Sequence, residues 1–191
     1  MSSSFQRFSR IRNLLFLPAK EWKDIAAESH SRKKIYIRFV LPMLCVIAVA
    51  TVIGTWLDTS RELYSAGYVI YRIVLLWALL SAGLYLSAFV ITEIMKHQLG
   101  TRNHRRAFTL MAYSSFAAYL VIAVVSLFPF FRELLVLAFY SCYLFWTGIP
   151  FLIGVEGHKR MIYGLLSFII VIFVYLLMLF FFGKVLRAIL L

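Results

Sequence analysis

The chain has 191 residues, of which 63% are hydrophobic and 17% aromatic, and its formal net charge is +12. This apolar content excludes an ordinary soluble globular protein and indicates a single-domain polytopic membrane protein. The basic residues lie beside apolar segments and not along a water-soluble face, so we expect contact with anionic lipid headgroups and no nucleic-acid partner. Cys45 and Cys142 both fall inside apolar segments and indicate neither a disulfide nor a metal pair.

Residues 1–38 are predicted to form a basic, amphipathic segment on the cytoplasmic side. Aromatic and aliphatic residues at helical spacing within 5–16, surrounded by arginines, are typical of a helix that lies in the headgroup layer. A second helix is predicted to begin at Pro18, which suits the first helical turn, and to reach about Glu28. Trp22 is expected to anchor that helix either at the membrane interface or against the helix bundle.

Five apolar segments follow, each long enough at about 1.5 Å per residue to cross the ~30 Å hydrocarbon core. None contains a charged residue, and their ranges are 39–57, 73–92, 107–128, 134–155 and 161–183. The fold is therefore predicted to be all-α, with a five-helix membrane domain at residues 39–191. The second and third spans are rich in small residues, and we expect both at the bundle centre because helices in lipid associate by close backbone approach.

Lysine and arginine divide unequally between the two sides of these spans. Fifteen fall in the N-terminal tail and in the loops after the second and fourth spans, and five fall on the other side. The positive-inside rule then places the N-terminus in the cytoplasm and the C-terminus outside. A re-entrant fifth span would bring the C-terminus inside instead.

The best candidate for a metal or proton site combines Glu93 and His97 at the end of the second span with His104 across the loop. A spacing of four residues places the first two on one helix face, and carboxylate and imidazole groups suit a divalent metal. An ion pair between Glu93 and Lys96 or a neighbouring helix explains the same residue without a metal. No local signature points to a catalytic nucleophile or a cofactor, so we predict no enzyme activity.

Gly148 and Pro150 interrupt the predicted fourth helix near its cytoplasmic end. Proline has no N–H to donate to the carbonyl of Trp146, so a kink is predicted here. Broken helices line substrate sites in many transporters, whereas a proline near a helix end also shapes packing alone.

Three segments in order resemble the Yip1 family of five-span membrane proteins. They are Leu17-Pro18-Ala19-Lys20-Glu21-Trp22-Lys23-Asp24-Ile25, then Arg105-Arg106-Ala107-Phe108 leading to Ala112-Tyr113-Ser114, and finally Tyr143-Leu144-Phe145-Trp146-Thr147-Gly148-Ile149-Pro150 followed by Gly154 and Lys159. Eukaryotic members act in vesicle traffic and interact with Rab GTPases, usually through a longer cytoplasmic N-terminal region. The short tail of this chain makes the resemblance imply a protein of the bacterial cytoplasmic membrane.

The sequence favours a non-enzymatic protein that organises partner proteins or lipids from its cytoplasmic surface. Contacts with the membrane surface or a partner are expected from Pro18, Trp22, Arg102, Arg105 and Arg106. The alternative is a small-solute transporter or lipid scramblase that uses the groove between the second, third and fourth helices. Small residues on the helix faces are compatible with packing within one chain or between two, so the oligomeric state stays open.

Overall fold

The computed structural model describes residue 10, residues 12–28, 30–57, 66–100 and 102–155, and the single positions 164, 165, 169, 172 and 176. These ranges are helical and contain no strand. A turn of helix at 12–16 leads into α1 (Pro18–Ala27). Four helices that are long and apolar enough to cross a membrane follow, namely α2 (Arg32–Leu57), α3 (Ala66–Leu99), α4 (His104–Leu127) and α5 (Pro129–Leu152).

The four long helices contain most or all of each of the first four predicted spans. Each helix begins before its uncharged stretch, and α3 also continues past the end of its own. With 34 residues, α3 is about 51 Å long at 1.5 Å per residue. The fifth predicted span, 161–183, lies outside the described residues except for isolated positions, and so does the C-terminus.

Helix α4 is the centre of the described bundle. Within its most apolar stretch 61% of residues are buried, against 33% for α2, 28% for α3 and 22% for α5. Helix α4 packs against all three of the others. The prediction of a central third span is therefore confirmed, but the prediction that the second span shares the centre is wrong for the described residues. Much of α3 instead presents large side chains such as Ile70, Val74 and Phe89 to the surroundings.

Helices α2 and α4 approach each other closely through their backbones at Gly54. A Cβ atom built on this glycine would lie 1.9 Å from the carbonyl oxygen of Ser126. Nearby, the hydroxyls of Thr51 and Thr55 donate to backbone carbonyls of their own helix, at 2.8 Å to Ile47 and 3.0 Å to Thr51. Small residues at the contact and self-satisfied hydroxyls are the features that allow helices to approach closely in lipid.

Aromatic donors connect neighbouring helices through backbone carbonyls. The indole Nε1 of Trp77 on α3 donates to the carbonyl of Leu44 on α2 at 3.0 Å. The hydroxyl of Tyr119 on α4 donates to the carbonyl of Leu80 on α3 at 3.2 Å. Each bond joins a different pair of helices, so α2, α3 and α4 are linked in series.

Three of the spanning helices are irregular. Helix α2 has a π-helical turn at Tyr36–Val40, and α5 begins with a 3-10 stretch at Pro129–Phe139. Helix α4 breaks at Ser115, and the backbone N–H of Ala118 beyond the break donates to the Ser141 hydroxyl of α5 at 2.8 Å. A backbone group freed inside a membrane needs such a partner because no water replaces it. At the residues where a kink was predicted, α5 continues through Pro150 and ends at Leu152.

Candidate functional site

The N-terminal segment folds back on itself and docks between α4 and α5. Leu17 departs from helical geometry, with φ −134° and ψ 55°, because the residue before a proline is disfavoured in the α region. Helix α1 then presents Pro18, Glu21, Trp22 and Ile25 as its buried face and packs against α5. The predicted headgroup-layer helix at 5–16 lies partly outside the described residues; within its described end, Leu14 is fully buried in the core of the bundle.

Arg10 holds the two arms of this segment together. Its Nε donates to Glu21 Oε1 at 3.0 Å, and one terminal nitrogen donates to Glu28 Oε2 at 3.0 Å while the other pairs with Glu28 Oε1. The first of these terminal nitrogens also donates to the hydroxyl of Tyr113 on α4 at 3.3 Å. Arg10 thus satisfies two carboxylates and touches the bundle, an arrangement we call the Arg10 clamp.

The clamp keeps its charges although it is largely withdrawn from water. Side-chain exposure is 27% for Arg10 and 6% for Glu21. Burial opposes ionisation of Glu28, but the hydrogen bonds and charge of Arg10 outweigh it and hold the pKa of that carboxyl below its usual range. The same hydrogen bonds raise the pKa of Arg10, and His30 Nδ1 lies 3.1 Å from Glu28 Oε2. Both partners of the bidentate pair are therefore charged at neutral pH.

Trp22 occupies a notch between α4 and α5. The side chain is fully buried, and its Nε1 donates to the Thr147 hydroxyl at 3.2 Å. Gly148 leaves the space for the ring, since a Cβ there would lie 2.8 Å from Trp22 Cε2 and 2.5 Å from Leu110 Cδ1. The ring meets Tyr113 edge-on, with centroids 6.4 Å apart at 84°. Of the two positions open to Trp22 from the sequence, the structure has the one against the bundle.

The structure places Pro18 and Trp22 inside the protein, while their predicted contact with the membrane surface or a partner stays a prediction. Both side chains are buried against the described bundle. The physical reason for this buried position is that the notch, like the membrane interface, provides an apolar surface for the indole ring and an acceptor for its N–H. Gly148 thereby acts as the floor of the Trp22 notch.

Basic side chains, which we call the basic collar, lie at the end of the bundle where α2 and α4 begin and α3 ends, the same end as the Trp22 notch. Its residues are all exposed: Arg32, Lys33, Lys34, Lys96, Arg102, Arg105 and Arg106. The Asn103 side chain caps α4 by accepting from the backbone N–H of Arg106 at 3.1 Å. This cap fixes the first turn of α4, which contains Arg105 and Arg106. Glu93 pairs with Arg102, while Arg105 and Arg106 point outward.

The predicted metal site does not assemble. Glu93 pairs with Arg102 across the loop and not with a histidine, His97 is exposed, and His104 is the first residue of α4. Within the described ranges no group of three or more histidine, cysteine or acidic side chains is arranged to hold a metal ion. An arginine nine residues away satisfies the carboxylate that a metal would have needed.

The Arg10 clamp was missed from the sequence, although one signal of it was present. Glu21, Ile25 and Glu28 lie at spacings of four and three residues, so two carboxylates share a helix stripe with a buried isoleucine. Acidic residues on an apolar stripe require a buried cation as partner. Position 10 alone, among several arginines in the tail, could not be selected by spacing because it approaches through a chain reversal.

The apolar, outward-facing helices define an α-helical integral membrane protein. The family model of the Yip1 domain matches residues 12–179, a range that includes α1 and all four spanning helices. The chain belongs to the Yip1 family, as its three motifs predicted. Neither a search of curated proteins nor a search of solved structures found a match.

Proposed function

We propose that this protein is a non-enzymatic organiser of the cytoplasmic membrane of a bacterium, which gathers anionic lipids, and with them protein partners, at its cytoplasmic face. The basic collar is the observation that carries this proposal. A lysine or arginine near an anionic surface gains roughly 1 kcal/mol, so several exposed at one end favour anionic over zwitterionic headgroups. The positive-inside rule assigns this end to the cytoplasm.

Protein partners that use the collar would carry an acidic surface. Charge complementarity raises the rate of encounter and suppresses wrong partners, and it weakens as salt is added. Arg105 and Arg106 suit this role because both are exposed, whereas Arg102 is already engaged by Glu93. Neutralising the first two should weaken capture of such a partner and leave membrane permeability unchanged.

The test measures which lipids surround the protein. Purified protein is reconstituted into phosphatidylcholine vesicles that contain a trace of dansyl-labelled phosphatidylglycerol or of dansyl-labelled phosphatidylcholine. Energy transfer from the protein's tryptophans should be stronger to the anionic probe. The double variant Arg105→Gln/Arg106→Gln should bring the two probes closer to equal transfer, and raising salt towards 1 M, where the screening length is about 3 Å, should do the same.

The matched control neutralises an exposed arginine at the opposite end of the bundle. Arg132→Gln removes the same charge as Arg105→Gln from a residue at the beginning of α5. We expect Arg132→Gln to leave the preference for the anionic probe in place. Equal transfer to the two probes in the unmodified protein, or equal losses from Arg105→Gln and Arg132→Gln, would contradict the proposal.

A transporter or scramblase that uses the groove between α3, α4 and α5 is the second candidate. Its specific support is the break in α4 at Ser115, two residues beyond the Tyr113 that accepts from Arg10, because broken helices line substrate sites in many transporters. Lipid and small-solute flux in vesicles, compared with an unrelated five-span protein, tests it. Flux above that control which falls on replacement of Gly148 and Pro150 would favour transport.

A further inference from the structure

The described N-terminal segment, residue 10 with residues 12–28, has two dissimilar faces, and we call it the N-terminal strap. Its inner face consists of the fully buried Leu14 and Trp22 together with Ile25. Its outer face exposes the charged residues Arg12, Lys20, Lys23 and Asp24, and the segment also exposes the apolar side chains of Phe16 and Leu17. The strap therefore presents three basic side chains outward beside the exposed Phe16 and Leu17, while its buried apolar face covers the notch between α4 and α5.

The strap carries its own countercharges. Both carboxylates that pair with Arg10, those of Glu21 and Glu28, belong to the strap itself. Its polar contacts with the bundle include neutral hydroxyls: Tyr113 accepts from Arg10, Tyr140 donates to the carbonyl of Leu15 at 2.6 Å, and Thr147 accepts from Trp22. Leaving a buried charge without a partner is the large penalty of breaking an ion pair. Detachment of the strap as one unit separates none of these ion pairs.

The neutral groups left behind also retain partners or are suited to the membrane. The Thr147 hydroxyl donates to the carbonyl of Leu144 within its own helix at 2.9 Å, a bond that does not need Trp22. Tyr113 and Tyr140 are amphipathic side chains that are common near membrane interfaces. The notch itself, floored by Gly148 and Leu110, is apolar, so lipid chains can cover it.

The membrane surface offers the strap a second position of comparable chemistry. An amphipathic helix with a tryptophan and a basic polar face binds in the interfacial layer, and anionic headgroups strengthen that binding. Trp22 and Ile25 would then face the acyl boundary, while Lys20 and Lys23 would meet phosphate groups. The same faces thus fit either the notch or the interface, which is the requirement for a two-position element.

We propose that the N-terminal strap is a releasable cover of the notch between α4 and α5, and that an anionic lipid surface draws it out. This proposal rests on the proposed function, because it gives the regulation of the same lipid-responsive face. Release uncovers Gly148, Leu110 and Thr147 to the lipid, so the composition of the membrane decides whether the notch is covered.

The experiment measures the distance between the strap and the bundle in nanodiscs of defined lipid. Spin labels are placed at two exposed positions, Ala27→Cys on the strap and Lys96→Cys on α3, in protein whose native cysteines are replaced by alanine. Phosphatidylcholine discs should give one distance. Discs that also contain phosphatidylglycerol should give a second distance, in a fraction on the order of 10% or more.

Two sets of variants make the result specific. Lys20→Gln with Lys23→Gln removes the outward charge of the strap and should abolish the second distance in anionic discs. Lys33→Gln with Lys34→Gln removes the same charge from α2, outside the strap, and should leave the second distance in place. Equal effects of the two pairs, or one distance in both lipids, would overturn the proposal.

Gly148→Ala supplies the released state independently of lipid, because the added methyl group takes the space of the Trp22 ring. It should give the second distance even in phosphatidylcholine, and an unchanged single distance would also overturn the proposal. Anionic-lipid enrichment through Arg105 and Arg106 with a single strap distance would sink this inference and leave the proposed function standing. Two strap distances without enrichment of anionic lipid would support this inference and contradict the proposed function.

Discussion

Gly54→Ala is the most direct test of the helix packing, because an added methyl group has no space there. Its Cβ would lie 1.9 Å from the Ser126 carbonyl oxygen and 2.9 Å from the carbonyl carbon, whereas real Cβ contacts essentially never fall below 3.0 Å. Both obstructing atoms are backbone and cannot rotate away as a side chain does. The substitution must therefore move α2 and α4 apart by roughly 1 Å.

A separation of that size removes about a quarter to a half of the dispersion energy of each contact across the interface. Overpacking commonly costs about 1–3 kcal/mol, and we expect Gly54→Ala near the upper figure because a whole helix must shift. For a chain of this length each kcal/mol lowers the melting temperature by about 2–4 °C, so the expected loss is roughly 6–12 °C.

The assay is thermal denaturation of the detergent-purified protein, followed by the loss of the folded peak in size-exclusion chromatography. Val49→Ile is the control, since it also adds one carbon to α2, on a side chain that is 58% exposed. A surface change of that kind should stay within about 0.5 kcal/mol. A melting temperature for Gly54→Ala equal to that of Val49→Ile would refute the close approach of α2 and α4.

Substitutions at three further positions have defined outcomes. Gly148→Ala should expel the Trp22 ring from its notch, which is read as a red shift of emission in protein whose other tryptophans are phenylalanine; unshifted emission would contradict the notch. Ser141→Ala should cost about 1–3 kcal/mol by leaving the Ala118 N–H unpaired, and Ser141→Thr, which keeps the hydroxyl, should cost less in the same thermal assay. Arg10 lowers the pKa of Glu28 in the folded state. The stability that this carboxylate contributes is therefore fully present at a pH above its ordinary pKa of about 4.3, and it is lost as the pH falls through the lowered pKa of the folded state. Glu28→Gln should flatten that part of a melting temperature profile against pH, and an unchanged acid slope would show that the clamp contributes nothing.

The spanning helices were predictable from the sequence because the bilayer imposes a length and an apolar composition on each of them. Helices occupy the first four predicted spans, and their order follows directly from the chain. The central position was less predictable. Small residues occur in both α3 and α4, and they permit close approach without specifying which helix has neighbours on every side. The three-sided packing of α4 decides this point.

The docking of α1 was outside the reach of sequence patterns for a different reason. The stripe that contains Trp22 and Ile25 fits an interface and a protein groove equally well, since both are apolar with polar atoms at the edge. The choice depends on Gly148 and Thr147, which lie more than a hundred residues along the chain and provide the space and the acceptor. The periodicity of residues within α1 contains no information about this contact between Trp22 and the distant Gly148 and Thr147.

The carbonyl-directed bonds of Trp77 and Tyr119 have a mechanical consequence. Contacts between small residues resist separation of two helices but allow one to slide lengthwise past the other, because neighbouring positions along the stripe are similar. A directional bond to a single carbonyl fixes the axial register, and in a medium without water its loss is not compensated. Helices α2, α3 and α4 are therefore expected to move as one rigid unit. Movement relative to this unit is confined to the elements that these two hydrogen bonds do not hold.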